Sequence, residues 1–116
     1  KAEITESVTY IKYYDGPSRT WFAYQNSLDD GVNRLSKIVS KLPINIQTTD
    51  LIINLLLRLD KKLQSGVDDS NGTVGGFIEE TVELLKDFAK KDPKVTISFK
   101  KLIGINSCFG WEKTLI

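Results

Sequence analysis

Histidine and methionine are absent from this 116-residue chain, and cysteine occurs once. Without histidine, the commonest general base and the commonest imidazole metal ligand are gone. One cysteine, Cys108, excludes an internal disulfide framework and any cysteine-rich zinc site. With no imidazole to activate it, Cys108 reads as a small buried hydrophobe or, in an oxidising compartment, as a link between two chains. Excess charge is missing too. Sixteen Lys and Arg against fifteen Asp and Glu leave a net charge of +1, which gives no electrostatic footprint for nucleic acid or an anionic membrane. No apolar run approaches the ~20 residues of a membrane span. The longest, Leu51 to Leu59, is broken by Asn54 and Arg58, so the chain reads as soluble. It opens on Lys1-Ala2-Glu3 without an initiator, as a processed mature chain or a domain of a longer protein would, and no targeting segment can be read from it.

What is present is helical period. Leu28, Val32, Leu35, Ile38/Val39 and Leu42 recur at spacings of three and four, as do Ile52, Leu55/Leu56, Leu59 and Leu63. Phe77/Ile78, Val82, Leu85 and Phe88/Ala89 form a third set. Each set draws one apolar stripe on a 3.6-residue helix and must be buried against something. The expected core is Leu35, Ile38, Leu42, Ile52, Leu55, Leu56, Leu59, Leu63, Val82, Leu85 and Phe88. The fold class that follows is all-α, a helical bundle or short antiparallel array of four to five helices in one domain, residues 1–116.

The ends of these helices are marked by punctuation. Pro43 closes the first long one, which begins either near Pro17 or at Ser27 with Asp30 as an approximate capping box. Thr48 or Thr49 is expected to cap the next, which runs to about Ser65 with Gly66 past its end. A polar, glycine-rich loop over 66–76 leads to a third long helix over about 75–91, acidic early and basic late, as the macrodipole prefers. Asp92-Pro93 resembles an N-cap followed by proline at the first helical position. After it, residues 95–99 suit either a strand or a helix, with helix preferred, and 105–116 read as an irregular tail pinned by Phe109 and Trp111.

The first quarter is ambiguous. The chain holds two tryptophans, four tyrosines and five phenylalanines, and six of these lie between Tyr10 and Tyr24. Two helices account for Ile4, Val8 and Ile11 and for Trp21, Tyr24 and Leu28. A β-hairpin over residues 8–25, turning at Asp15-Gly16-Pro17-Ser18, is the alternative.

Candidate sites are few. The loop Asp68–Glu79 joins two helices and is rich in oxygen ligands, yet it fits no register of a calcium loop. With Gly72 at the turn position, positions 1 and 12 fall on Val67 and Ile78. With Asp68 and Glu79 as the ends, Gly72 is misplaced. No metal and no cofactor are expected. The loop lacks the Gly-Lys-Ser/Thr ending of a phosphate-binding loop, but it contains Asn71-Gly72-Thr73, a glycosylation acceptor pattern. The aromatic cluster with Lys12 and Arg19 could stack bases, but two cations are too few for that mode. Interface anchors are typically Trp, Tyr and Arg, so Arg19, Trp21 and Tyr24, then Tyr13 and Tyr14, are the expected partner-binding residues. The functional expectation is a non-enzymatic protein-interaction or scaffold module with another protein as partner. A small helical carrier of an apolar molecule is the alternative, and an enzyme is the least supported reading.

Overall fold

The computed structural model describes residues 2–14 and 20–99; Arg19, Cys108, Phe109 and Trp111 lie outside them. Four α-helices follow one another: α1 (Ala2–Val8), α2 (Trp21–Ser40), α3 (Ile46–Gln64) and α4 (Thr73–Lys91). A 3₁₀ helix, Pro93–Phe99, completes the described chain. There is no strand among the described residues, so the all-α class holds and the hairpin alternative over 8–25 is replaced by a helical entry. Its would-be second strand is taken up by the start of α2. The Thr20 hydroxyl accepts from the Ala23 amide at 3.1 Å, which satisfies one of the free donors of the first turn. Helix α2 therefore begins at Trp21 and not at Ser27. Ser27 sits inside it and donates back to the Ala23 carbonyl at 3.2 Å.

Helix α3 is capped earlier than the Thr48–Thr49 pair suggests. Asn45 accepts from the Thr48 amide at 2.9 Å, and the Thr48 hydroxyl accepts from the Asn45 amide at 3.2 Å, a reciprocal capping box. Thr48 is the third helical residue, answering the cap rather than forming it. At the far end Gly66, with φ of +116°, occupies the left-handed position that glycine takes at least cost. Residues 95–99 form neither strand nor α-helix but a 3₁₀ turn, begun by Asp92, whose carboxylate accepts from the Lys94 amide at 3.1 Å.

The three long helices bury the stripes read from the sequence. Leu35, Ile52, Leu55, Leu56, Leu59, Val82, Leu85 and Phe88 are interior, while Ile38, Leu42 and Leu63 are half-buried against them. Ile4, Val8 and Ile11 add the contribution of α1 and its exit. Helix α1 packs on α2, α2 on α4, and the 3₁₀ helix against both α3 and α4.

Gly31 is what lets α1 approach α2. A Cβ there would lie 2.8 Å from the Tyr10 Cβ and 3.1 Å from the Ser7 carbonyl oxygen. Neither atom is the free end of a flexible side chain. Gly31→Ala should therefore destabilise the protein, because overpacking costs about 1–3 kcal/mol against the ~1 kcal/mol that alanine returns in helix propensity. A thermal melt checks the sign. A raised Tm would mean that α1 does not sit on Gly31.

Candidate functional site

The segment leaving α1 is held at two points, and the holding groups come from other helices. The Lys62 ammonium, on α3, donates to the Ile11 carbonyl at 2.7 Å and to the Val8 carbonyl at 3.3 Å. It thereby satisfies the Ile11 carbonyl beyond the end of α1 and adds a second bond to the Val8 carbonyl, which already accepts from the Ile11 amide at 2.9 Å. The Tyr24 hydroxyl, on α2, donates to the Lys12 carbonyl and accepts from the Asp68 amide, the latter at 3.2 Å. Tyr24 thus ties the exit of α1 to the loop before α4, with its ring inside the core at 1% exposure.

Pinning residues 11 and 12 presents the next two outward. Tyr13 is 53% exposed and Tyr14 37%, with the Tyr14 ring tilted on that of Tyr24 at a centroid distance of 5.1 Å. The first turn of α2 adds Phe22, 75% exposed, with Trp21 edge-on to it at 5.3 Å. Trp21 is half-buried, and its indole N–H donates to the Asp68 carboxylate at 3.2 Å. That bond fixes the indole and leaves Phe22 projecting beside it.

The expected partner-binding set therefore divides. Tyr13 and Tyr14 lie on the surface, Trp21 lies at its edge with one side bonded inward, Tyr24 is interior, and Arg19 is outside the described residues. The sequence reading omitted Phe22, the most exposed large aromatic of the group. Its signal was available: Phe22 falls off the Trp21–Tyr24–Leu28 stripe, and an apolar residue off the buried stripe of a helix faces water.

The loop before α4 has a structural use for its acids. Asp69 accepts from the Val74 and Gly75 amides, both at 2.9 Å, and so caps a helix whose own N-cap residue, Gly72, has no side chain to offer. Asp68 takes the Trp21 indole and both the amide and hydroxyl of Ser70. These hydrogen bonds hold the Asp68 carboxyl below the usual carboxylate range, the Ser70 hydroxyl first among them. Among the described residues no three His, Cys, Asp or Glu side chains gather as a metal-ligand group. In the glycosylation triplet, Asn71 is exposed and the Thr73 hydroxyl donates to Asp29 at 2.8 Å.

About 22 Å along α2 from Trp21, at 1.5 Å per residue, an open groove of about 310 Å³ lies between α2 and α4. Ser36, Val39 and Ser40 line it on one side and Phe77, Glu80, Thr81 and Leu84 on the other. It opens to solvent and mixes hydroxyls and a carboxylate with apolar groups. On the outer face of α4, Lys86 pairs with Glu83 at 3.2 Å and Lys90 with Asp87 at 3.9 Å. Glu83, Asp87 and Lys90 are exposed and Lys86 is partly so, and pairs open to solvent contribute little to stability. No helix among the described residues is long and apolar enough to cross a membrane.

Comparison with protein-family models, with curated proteins and with solved structures finds no match to this chain.

Lys62 carries a titration signature of its position. Burial lowers its pKa from 10.5, and the nearby positive charges of Arg58 and Lys12 lower it further. The folded protein then releases this proton before the unfolded chain does. Stability should therefore rise with pH between the depressed folded value and 10.5. An NMR titration of the lysine side chains should place the Lys62 midpoint below 10.5. A midpoint at or above that value would contradict its burial against the exit of α1.

Proposed function

We propose that this chain is a non-enzymatic protein-interaction module whose contact surface is the aromatic patch formed by Tyr13, Tyr14 and Phe22, with Trp21 at its edge. The observation that carries the reading is Phe22, three-quarters exposed in the first turn of a well-capped helix and stacked edge-on against an indole that is bonded inward. A large aromatic left mostly in water adds little to the stability of the fold, whereas such a side chain can bury ~150–250 Å² of surface when covered. Rigid aromatic side chains with few rotatable bonds lose little entropy on docking and dominate interface energetics. The pinning of residues 11 and 12 by Lys62 and Tyr24 supplies that rigidity for Tyr13 and Tyr14.

The chemistry of the rest of the chain agrees with a binding role. With no histidine in the chain, the loop acids are spent on capping α4 and on holding Trp21. The groove between α2 and α4 is open and part-hydroxylic, unlike the enclosed apolar pocket a carrier needs.

The test separates surface from core. Tyr13→Ala and Phe22→Ala should each leave Tm nearly unchanged, within the ±0.5 kcal/mol typical of surface substitutions. The same replacements should weaken association with the physiological partner by tenfold or more, a loss of ~1.4 kcal/mol or greater. If both variants bind as the parent does, this surface is not the contact.

A further inference from the structure

Three cations lie around the exit of α1, the segment that carries Tyr13 and Tyr14. Lys12 immediately precedes Tyr13 and Tyr14, and Lys62 holds the carbonyl of Ile11, one residue earlier. Arg58 stands one turn before Lys62 on the same face of α3, and the positive charges of Arg58 and Lys12 both act on the Lys62 ammonium. Like charges at this spacing on a helix repel and cost stability. Among the described residues none of the three is in an ion pair; the pairs formed are Arg34–Asp30, Lys86–Glu83 and Lys90–Asp87. Lys12 and Arg58 are exposed. Asp68, the carboxylate bonded within the patch, is occupied by Trp21 and Ser70.

We infer that the patch docks an acidic, apolar peptide segment of another protein, whose carboxylates meet Lys12 and Arg58 while its apolar side chains cover Tyr13, Tyr14 and Phe22. The inference rests on the interaction reading above and adds the chemistry of the partner. A positive cluster that forms no ion pair among the described residues, next to exposed aromatics, steers and selects a negatively charged partner. A partner's carboxylates would also relieve the repulsion among the three cations. A peptide suits this surface better than a polyanion. The Lys62 ammonium is turned onto backbone carbonyls, leaving two outward cations rather than a track, and the chain as a whole carries only +1. The aromatics crown the start of a helix instead of running along one face, which differs from a helix that lies in a membrane interface.

The experiment is selection from a displayed random-peptide library on the immobilised full chain, followed by affinity measurements on selected peptides. Two double variants accompany it, Lys12→Glu/Arg58→Glu and Tyr13→Ala/Phe22→Ala, each checked by its melting curve. Glutamate at position 58 faces Lys62 at helical spacing, a favourable pair, so the first variant is expected to fold. The expected result is enrichment of peptides that combine Asp or Glu with Leu or Phe, and affinity that falls with added salt. Charge reversal and aromatic truncation should each weaken binding by tenfold or more. Peptides that bind regardless of charge, and lose affinity only with Tyr13 and Phe22, would overturn the acidic partner and leave the aromatic surface standing. Acidic peptides insensitive to both variants would overturn the surface as well. No enrichment, or tighter binding of an oligothymidylate or of phosphatidylserine vesicles than of any peptide, would also overturn the proposal.

Discussion

Replacing Tyr24 by alanine should cost about 3–5 kcal/mol of stability, the scale of a buried aromatic truncation. Nothing comparable is expected at Tyr13, Tyr14 or Phe22. The ring of Tyr24 is interior, and its hydroxyl joins two segments that no helix hydrogen bond connects, Lys12 and Asp68. Tyr24→Phe separates the two contributions. It keeps the packing and removes the hydroxyl, and it should cost only about 1 kcal/mol, the net worth of an ordinary hydrogen bond with some penalty for the partners left behind. Denaturant titration of the two variants measures both effects. If Tyr24→Ala cost less than the hydroxyl alone, the ring would lie outside the core and the division of the aromatics would be wrong.

The second large effect is at Leu59. It is fully buried on α3, in the cluster that α4 also enters. Leu59→Ala removes about three methylene-sized groups and leaves a cavity, for a cost of roughly 2–5 kcal/mol. Leu57, two residues earlier, is only half-buried, and Leu57→Ala should cost clearly less. The contrast between neighbours on one helix tests the facing of α3 without depending on the absolute scale. Equal losses at the two positions would rotate α3 from the orientation described.

The stripes of α2, α3 and α4 were legible because burial imposes a 3.6-residue period on any helix with one apolar face. The helix starts were less so, for a reason visible at Asn45 and Thr48. Both side chains can accept an amide proton, and in a capping box each serves the other, so composition alone does not say which is the cap. The start of α4 was harder still. Its cap residue is a glycine, and the carboxylate that serves it, Asp69, stands three residues outside, where it resembles a metal ligand in a loop. The 3₁₀ turn over Pro93–Phe99 combined an N-cap signal with β-branched residues, and its docking against α3 and α4 decided between them.

The aromatic segment was found by composition, and its internal division was not. Tyr24 and Phe22 are two residues apart with similar side chains, yet one closes the core and the other stands in water. What separates them is helical phase: Tyr24 continues the stripe to Leu28 and Val32 and Phe22 falls off it. That phase holds only if the segment is a helix, which the hairpin alternative left open in the sequence. Gly31 carried a similar hidden meaning. By propensity it is a weak point of α2, and by position it is the seat of α1.

The most direct measurement is site-specific photocrosslinking in the cells that make the protein. Phe22 is replaced by p-benzoylphenylalanine in one variant, and exposed Lys90 at the end of α4 is replaced in another. The account predicts a discrete crosslinked protein from position 22, lost when Tyr13→Ala is added, and none from position 90. Equal crosslinking from both positions, or none from position 22, would contradict it.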